Sequence, residues 1–297
     1  MAKIIVIAGG TGFIGTYLTQ YYLSQGYQVK LIARTGENSI PWSDTIAIHQ
    51  VLEGAELLIN LAGKSVDCRY NAKNKQTILL SRTTTTTILG NAIKKCNNPP
   101  KLWINSSTAT IYRHAEDRPM TEVSGEIGTG FSVEVAKAWE KSFFDFKLST
   151  TRQVALRIAI VLGEDGGALK PLTTLVKVGL GGKQGNGKQK FSWLHIEDLK
   201  NIILFIQNNA TIEGVLNCSA PNPTDNDTLM TLLREKLNWS FGIPSPKWLL
   251  EMGAVFIRTE TELILKSRWV LPDKLIKLGF EFTYPKIDTC ISNLIKK

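Results

Sequence analysis

The segment AGGTGFIG, from Ala8 to Gly15, carries glycines at a spacing that suits dinucleotide binding. It fits G-x-G-x-x-G from Gly10 and G-x-x-G-x-x-G from Gly9. Glycine permits a tight turn, a close approach of backbone N–H groups to a pyrophosphate, and close packing of helix on strand. The start of the following helix adds a dipole that favours phosphate. We predict cofactor contacts from Gly9, Gly12, Phe13, Ile14 and Gly15.

A second group able to do chemistry follows the next apolar run, QVKLIAR. A site for NAD places Asp or Glu at this point, to bind the ribose 2′-hydroxyl. This chain has Ala33 and Arg34 instead. A cation in place of a carboxylate favours the 2′-phosphate of NADP, so we predict that NADP is the cofactor. The alternative for Arg34 is an ordinary exposed residue at a strand end.

These groups need a scaffold that brings strand ends together, and the hydrophobic pattern predicts one. Continuous Val, Ile and Leu runs indicate strands covered on both faces, as in KIIVIAGG, ELLINLAG and TRQVALRIAIVLG. They alternate with amphipathic helical segments, which predicts an α/β protein with a Rossmann-type, doubly wound parallel sheet. The run Thr83 to Thr87 lies inside one apolar helical stripe, so we predict helix there rather than a linker.

The composition of the sequence changes after Gly163. A glycine-rich stretch comes first, and later segments are rich in Pro and Trp and predict short helices. We predict an NADP-binding Rossmann domain over residues 1–163, to which residues 190–219 return. Residues 164–189 and 220–297 are predicted to form a smaller C-terminal α/β lobe. This lobe is expected to hold the substrate or to act as a lid.

Composition argues against several classes of function. The net charge is +9, but Lys and Arg are spread along the chain rather than clustered with aromatics, so we expect no nucleic-acid partner. No stretch reaches about 18 apolar residues, so we expect no membrane span. The four Cys and three His are widely spaced. This spacing predicts neither a disulfide framework nor a metal site, and it fits a reducing cytoplasm.

Spaced blocks along nearly the whole chain match one large superfamily. They include GGTGFIG, INLAGKSVDCRYNAKNKQTILLSR, FSVEVAKAWE, GLGGKQGNGKQKFSWLHIEDL and SRWVLPDKLIKLGFEF. Together they resemble the extended short-chain dehydrogenase/reductase superfamily. More closely, the chain is similar to the NAD-dependent epimerase/dehydratase-like family that has its own C-terminal domain of unknown function. The second block carries that family's N-L-A-G and K-x-x-I-x-x-S-R.

The resemblance implies further contacts with the cofactor. It places Arg34 at the 2′-phosphate and the N-L-A-G residues beside the adenosine and ribose. Gln76 and Arg82, on the following helix, would reach toward the cofactor, and Arg157 would face the crevice at the carboxyl ends of the strands. For Arg82 and Arg157 the alternative is a buried structural ion pair. The full set is Ala33, Arg34, Leu61, Ala62, Gly63, Gln76, Arg82 and Arg157.

The resemblance also raises a problem, because most relatives carry Y-x-x-x-K on one helix. There Tyr is the acid/base, and Lys lowers the pKa of the Tyr and holds the ribose. When FSVEVAKAWEKS is aligned on Glu140, Ser132 takes the Tyr position and Ala136 the Lys position. Lys137 is one residue out of register, which is about 100° of rotation on a helix. The usual dyad is therefore missing.

Three other residues are candidates for the proton transfer. Thr108 occupies the usual Ser/Thr position in the strand KLWINSSTATIY, and Tyr112 is the nearest phenol. Glu134 lies on the helix just past the vacant Tyr position, and its alternative is an exposed helical residue.

Two functions remain open from the sequence. One is an NADP-dependent oxidoreductase or epimerase-like enzyme with an atypical proton donor and a small-molecule substrate. The other is a non-catalytic NADP(H)-binding sensor or interaction protein, which the missing dyad favours. The hypothesis that the protein binds nucleic acid would rest on the net charge alone. We expect a monomer or a homodimer.

Overall fold

The strands of the protein follow its apolar runs, because aliphatic side chains pack well on a pleated surface that is covered on both faces. The computed structural model describes residues 3–246 and 265–295. Its strands are β1 Ile4–Ala8, β2 Gln28–Ile32, β3 Ser39–Ile40, β4 Leu57–Asn60, β5 Leu102–Thr108, β6 Arg152–Ile158, β7 Ile160–Gly163, β8 Gly166–Gly167, β9 Lys190–Phe191, β10 Trp193–His195, β11 Gly214–Cys218 and β12 Thr224–Asp225.

Seven of these strands form one parallel sheet in the order β11–β6–β5–β4–β1–β2–β3. In β1, for example, Ile5 pairs with Leu57 of β4 on one side and with Val29 of β2 on the other. Because all the pairs are parallel, the carboxyl ends of the strands meet at one edge of the sheet. The predicted Rossmann-type sheet is confirmed.

Helices cover both faces of the sheet. Successive side chains of a strand point to opposite faces, so an unbroken apolar strand needs cover on both sides. The helices are α1 Phe13–Ser24, α2 Thr45–Leu52, α3 Ala72–Ile93, α4 Phe131–Phe144, α5 Leu169–Lys177, α6 Ile196–Asn208, α7 Asn226–Lys236 and two short helices, Asp273–Lys277 and Ile287–Leu294. Ile5 and Ile7 of β1 pack with α1 and α6, whereas Val6 and Ala8 pack with α2, α3 and α4. No helix of the described residues combines the length and the apolar composition needed to cross a membrane.

The Thr83–Thr87 run lies within α3, as predicted. Hydroxyls along the run donate to carbonyl oxygens one turn earlier, at 2.8–3.1 Å. Thr86 differs, because it is fully buried and its hydroxyl oxygen accepts two hydrogen bonds. One comes from the Trp139 indole N–H at 3.1 Å and the other from the Asn60 amide at 3.2 Å. This hydroxyl therefore joins α3 to α4 and to the end of β4.

The single strand predicted over TRQVALRIAIVLG is wrong, because this segment forms two strands. β6 stays in the seven-stranded sheet, whereas β7 begins after Ala159 and pairs with β10 in a separate sheet, β10–β7–β8. The Ala159 N–H still donates to the Cys218 carbonyl of β11, at 2.9 Å. Neither strand has an exposed residue, so hydrophobicity alone does not mark the change of sheet.

A further apolar core lies beside the seven-stranded sheet. α5, α7 and the helix Ile287–Leu294 pack around residues such as Leu229 and Trp193. This is the smaller C-terminal lobe that the sequence predicts. Part of it, residues 247–264 and 296–297, lies outside the described residues, and the predicted domain boundary at residue 163 stays a prediction.

Candidate functional site

The glycine-rich turn joins β1 to α1 at the carboxyl edge of the sheet. Gly9 has a φ of +78°, which favours glycine, and a Cβ there would lie 2.8 Å from the Ala62 nitrogen. A Cβ on Gly15 would lie 2.6 Å from Gly10 Cα, so the start of α1 packs closely on the turn only without that side chain. A Cβ on Gly12 would meet nothing nearer than the Gly9 carbonyl oxygen, at 3.6 Å. Gly12 is therefore the motif glycine that the fold itself does not require.

No side chain caps the first turn of α1. Its N-cap residue is Gly12, whereas the side chains of Asp44, Asn71 and Asp225 cap α2, α3 and α7. The first N–H groups of a helix lack intrahelical partners and carry the positive end of its dipole. The start of α1 can therefore donate hydrogen bonds to a phosphate.

A cleft of about 890 Å³ opens between this turn and α3. A volume of that size suits a cofactor. The charged residues in its lining are Arg34 and Lys64, both cations. The structure therefore brings the ends of β1, β2 and β4 together around one positively charged cleft. The predicted cofactor residues in its lining are Gly9, Gly12, Ala33, Arg34, Leu61, Ala62, Gly63 and Gln76.

Phe13 and Ile14 are not among the residues that line this cleft, and Gly15 is buried. The Phe13 ring packs on the β7–β8 hairpin, where it would lie 2.4 Å from a Cβ on Gly166. Ile14 packs against the core on the α1 side of the sheet. Any cofactor contact from these three residues would therefore be made by the backbone.

Sequence reasoning missed nine residues of the cleft. Three of them, Thr11, Trp42 and Lys64, lie in loops, and the other six lie on α3: Thr77, Leu80, Ser81, Thr84, Thr85 and Ile88. Lys64 directly follows Gly63 in the loop after β4. This position was a usable signal because the carboxyl ends of parallel strands converge. Trp42 follows the two-residue strand β3 and belongs to no motif that would have identified it.

Arg82 is half-buried between the loop after β4 and α4. Its Nη1 donates to the carbonyl oxygens of Lys64 at 3.1 Å and Ile78 at 3.0 Å. Its guanidinium lies over the Trp139 ring, with Cζ 5.1 Å from the ring centroid. Burial lowers the pKa of Arg82 to about 10. Within the described part of the chain no carboxylate forms an ion pair with it, so the alternative of a buried ion pair finds no support for Arg82.

Arg157 does form a buried ion pair, with Glu140 of α4. Its Nε and Nη2 donate to the two Glu140 carboxylate oxygens, each at 2.8 Å, and both side chains are 12% exposed. Its Nη1 donates to the Tyr112 hydroxyl at 2.8 Å. Burial lowers the pKa of Arg157, but the hydrogen bond and charge of Glu140 outweigh burial and raise it. All three guanidinium nitrogens are engaged, so the structure supports the structural alternative rather than the predicted cofactor contact.

The two hydroxyl candidates for proton transfer differ in their surroundings. Tyr112 is 2% exposed, and its hydroxyl donates to Asn217 Oδ1 at 2.9 Å. Burial raises the pKa of Tyr112, and Arg157 offsets part of this rise. Thr108 is half-buried at the carboxyl end of β5, and its hydroxyl oxygen accepts the Thr110 N–H at 3.1 Å. The Thr108 hydroxyl proton has no acceptor among the described residues.

The helix α4 carries neither an acid nor a cation at the two positions of the usual dyad. Ser132 is half-buried and Ala136 is fully buried. The Glu134 side chain is 63% exposed and pairs with the exposed Lys137 at 3.1 Å. The structure therefore places Glu134 on the solvent-facing side of α4, which is the alternative that the sequence left open.

One cluster of possible metal ligands occurs among the described residues, where α2 and α3 end. His49, Glu53 and Cys96 each place one ligand atom within 4.8 Å of the others. Glu53 already accepts backbone N–H bonds from Asn97 at 3.0 Å and Asn98 at 2.6 Å, so its carboxylate holds this loop. The expectation that the protein has no metal site stays a prediction.

The parallel sheet, the glycine-rich turn and the cationic cleft define a Rossmann-type nucleotide-binding protein of the extended short-chain dehydrogenase/reductase kind. The model of the NAD dependent epimerase/dehydratase family matches residues 5–218, and a model described as a domain of unknown function (DUF1731) matches residues 245–294. The chain belongs to the NAD dependent epimerase/dehydratase family. The resemblance inferred from the sequence is confirmed.

Similar proteins match nearly the whole length of the chain. It is 33% identical to the epimerase family protein YfhF of Bacillus subtilis, over 98% of this chain and 97% of that protein. A crystal structure of the human epimerase family protein SDR39U1 with NADPH has a TM-score of 0.90 and 30% identity, over 98% of this chain and 99% of that one. A UDP-N-acetylglucosamine 4-epimerase of Methanobrevibacter ruminantium has a TM-score of 0.77 over 99% of this chain and 97% of its own. At 16% identity, it shares the fold alone.

Proposed function

We propose that the protein binds NADP(H) in the cleft and acts as an oxidoreductase or epimerase-like enzyme on a small-molecule substrate. The observation that carries this proposal is the charge of the cleft. Arg34 follows β2, where an NAD site has a carboxylate, and none of the described lining residues is acidic. The NADPH in the structure of human SDR39U1 supports the same cofactor here.

The shape of the cleft fits the parts of this cofactor. Gly12 leaves room for the pyrophosphate beside the uncapped start of α1. A Cβ on Gly36 would lie 3.0 Å from Thr11 Cγ2, so the loop that carries Arg34 packs on the glycine-rich turn. Arg34 would then hold the 2′-phosphate close to the pyrophosphate site. The bound cofactor would supply the hydride chemistry.

Replacing Arg34 by alanine is expected to weaken NADPH binding and to leave NADH binding nearly unchanged. The loss should be about tenfold to a hundredfold, since a hydrogen bond to a charged group contributes about 1.5–3 kcal/mol. Titration of each reduced cofactor, followed by nicotinamide fluorescence, measures both affinities. Lys141→Ala, which removes an exposed cation on α4, is the matched control. Equal losses for NADPH and NADH would contradict the assignment of Arg34 to the 2′-phosphate.

Thr108 is the residue that we propose to orient the substrate oxygen by hydrogen bonding. It lies at the same edge of the sheet as the cleft, on the strand beside β4. Its hydroxyl keeps a proton to donate, whereas the Tyr112 hydroxyl is buried and bonded and Glu134 is exposed. Thr108 is therefore the candidate that the described contacts support best.

Thr108→Val is expected to lower kcat/KM by about tenfold or more, because it removes a hydrogen bond to the reacting oxygen. Thr108→Ser should retain most of the activity, and NADPH affinity should be unchanged in both variants. The measurement is oxidation of NADPH across a library of carbonyl compounds, followed at the absorbance band of reduced nicotinamide. If Thr108→Val kept full activity on every substrate that the wild type turns over, Thr108 would have no role in the reaction.

A second proposed function is a non-catalytic NADP(H)-binding sensor or interaction protein. Ser132 and Ala136 at the dyad positions favour it, as does the bonded Tyr112 hydroxyl. This function predicts tight NADPH binding without turnover of any carbonyl compound. It also predicts that the oxidised and reduced cofactors change the protein's interactions differently, and identical behaviour with both would contradict a redox sensor.

A further inference from the structure

Three side chains that can bind a metal ion meet at the amino edge of the sheet, opposite the nucleotide cleft. His49 lies on α2, Glu53 is the C-cap residue of that helix, and Cys96 lies just after α3 in the loop before β5. One ligand atom from each residue lies within 4.8 Å of the other two. The strands β4 and β5 are parallel neighbours, so the loops that enter them lie side by side. The cluster is therefore separate from the cleft at the carboxyl edge.

His49 contributes a ring nitrogen that has no hydrogen-bond partner. Its Nε2 atom is shielded from solvent and makes no hydrogen bond to any described residue. A Glu53 carboxylate oxygen lies 4.0 Å away, which is too long for a hydrogen bond. Buried polar atoms are nearly always paired, and an exception calls for an explanation such as a water or an ion. Because imidazole nitrogen is the commonest metal ligand in proteins, this atom indicates a metal ion among the three side chains.

Glu53 is held in the way that metal-binding carboxylates are commonly held. One of its oxygens accepts the Asn97 N–H at 3.0 Å, and the other accepts the Asn98 N–H at 2.6 Å. Each oxygen keeps a further lone pair, because an ionised carboxylate has about four acceptor sites. Hydrogen bonds of this kind orient carboxylate ligands toward a metal. Since Asn97 directly follows Cys96 in the chain, the same bonds hold the backbone of Cys96 beside the end of α2.

The three donor atoms favour zinc over the alkaline-earth ions. Zinc binds imidazole nitrogen, thiolate sulfur and carboxylate oxygen, whereas calcium and magnesium take oxygen ligands. Bond lengths of about 2.0–2.3 Å place the ligand atoms of a tetrahedral zinc about 3.3–3.8 Å apart. The 4.0 Å between His49 Nε2 and Glu53 is slightly longer than this. Both side chains are 34% exposed, so small rotations can close the gap and an ion can enter without opening the core.

We propose that His49, Glu53 and Cys96 form a binding site for one zinc-like divalent ion, with water as the fourth ligand. The Cys96 thiol would release its proton to the solvent on binding, because the thiolate is the ligand. The bound ion would join the end of α2 to the loop after α3. The spacing of Cys and His along the sequence predicts no metal site, since this cluster forms only when two loops meet in the fold. The site does not depend on the proposed binding of NADP(H).

Cobalt(II) and zinc(II) are the probes that test this site. The purified protein is freed of metal with a chelator, and Co²⁺ is added under argon. Co²⁺ should produce a sulfur-to-cobalt charge-transfer band in the near ultraviolet and the intense visible bands of tetrahedral cobalt, and Zn²⁺ should abolish both. Cys96→Ser should remove the charge-transfer band. His49→Gln should weaken Zn²⁺ binding by about tenfold or more, because even the outer partners of metal ligands contribute about tenfold to a hundredfold.

Cys68→Ser is the matched control, because Cys68 is also a half-buried free thiol and lies outside the cluster. It should keep the cobalt spectrum and the zinc affinity of the wild type. A wild type without the charge-transfer band, or a band that survives Cys96→Ser, would overturn the proposal, and so would unchanged zinc affinity in His49→Gln. If Cys96→Ser does not fold, the zinc affinity of His49→Gln still decides. NADPH affinity should be unchanged in Cys96→Ser and His49→Gln, so a failure of the proposed function would be recognised separately.

Discussion

Gly12→Ala is expected to remove nucleotide binding while leaving the fold intact. The added methyl meets no protein atom closer than 3.6 Å, and the backbone of Gly12, with φ −83° and ψ 173°, is open to any residue. The methyl would instead occupy the place where a pyrophosphate approaches the start of α1. We expect NADPH affinity to fall by about a hundredfold, or about 2.7 kcal/mol, in calorimetric titration.

Gly15, in the first turn of α1, is the comparison for Gly12. In Gly15→Ala the methyl would lie 2.6 Å from Gly10 Cα, so this variant should lose about 2 kcal/mol of stability or more through overpacking. Thermal unfolding distinguishes the two, with Gly12→Ala melting near the wild type and Gly15→Ala melting lower. A Gly12→Ala protein that binds NADPH with wild-type affinity would mean that the cofactor does not lie on this turn.

Glu140→Gln is expected to destabilise the protein by about 3 kcal/mol, because it leaves the buried Arg157 charge without its counter-ion. The carboxylate takes two Arg157 bonds at 2.8 Å and one from the Ser107 hydroxyl at 2.6 Å, and only 12% of its side chain is exposed. The amide keeps the shape of the side chain and loses the charge. Urea unfolding measures the change in the free energy of unfolding.

The control lies on the same helix. Glu134→Gln makes the same chemical change in an ion pair whose carboxylate side chain is 63% exposed, and exposed pairs contribute about 0–1 kcal/mol. It should therefore unfold within about 0.5 kcal/mol of the wild type. Equal effects of the two substitutions would show that the Arg157–Glu140 pair contributes no more than a surface pair, and would leave Arg157 available for a ligand.

The features that the sequence predicts well are those whose geometry is local. The turn from Gly9 to Gly15 is one continuous segment, and its glycines are explained by atoms of that turn and of the adjacent strand end. Arg34 follows directly from its position after a strand. The sheet could be predicted because strands covered on both faces need unbroken apolar runs.

The features that the sequence predicts poorly depend on how helices pack on the sheet. Nothing local marks Arg157 as a partner of Glu140, because one residue lies on β6 and the other on α4. The same holds for Tyr112, whose hydroxyl is bonded to Asn217 on β11. The change of sheet after Ala159 leaves the hydrophobic run uninterrupted.

The buried hydroxyl of Thr86 has a consequence for how this family varies. Composition alone does not distinguish the five positions of the run Thr83 to Thr87 from one another. Yet Thr86 is fully buried and bonded to Trp139 and Asn60, whereas Thr87 is exposed. We expect relatives to exchange Thr87 freely and to keep a small hydroxyl at the position of Thr86. The five-threonine run is therefore expected to contain one position, Thr86, that tolerates few substitutions.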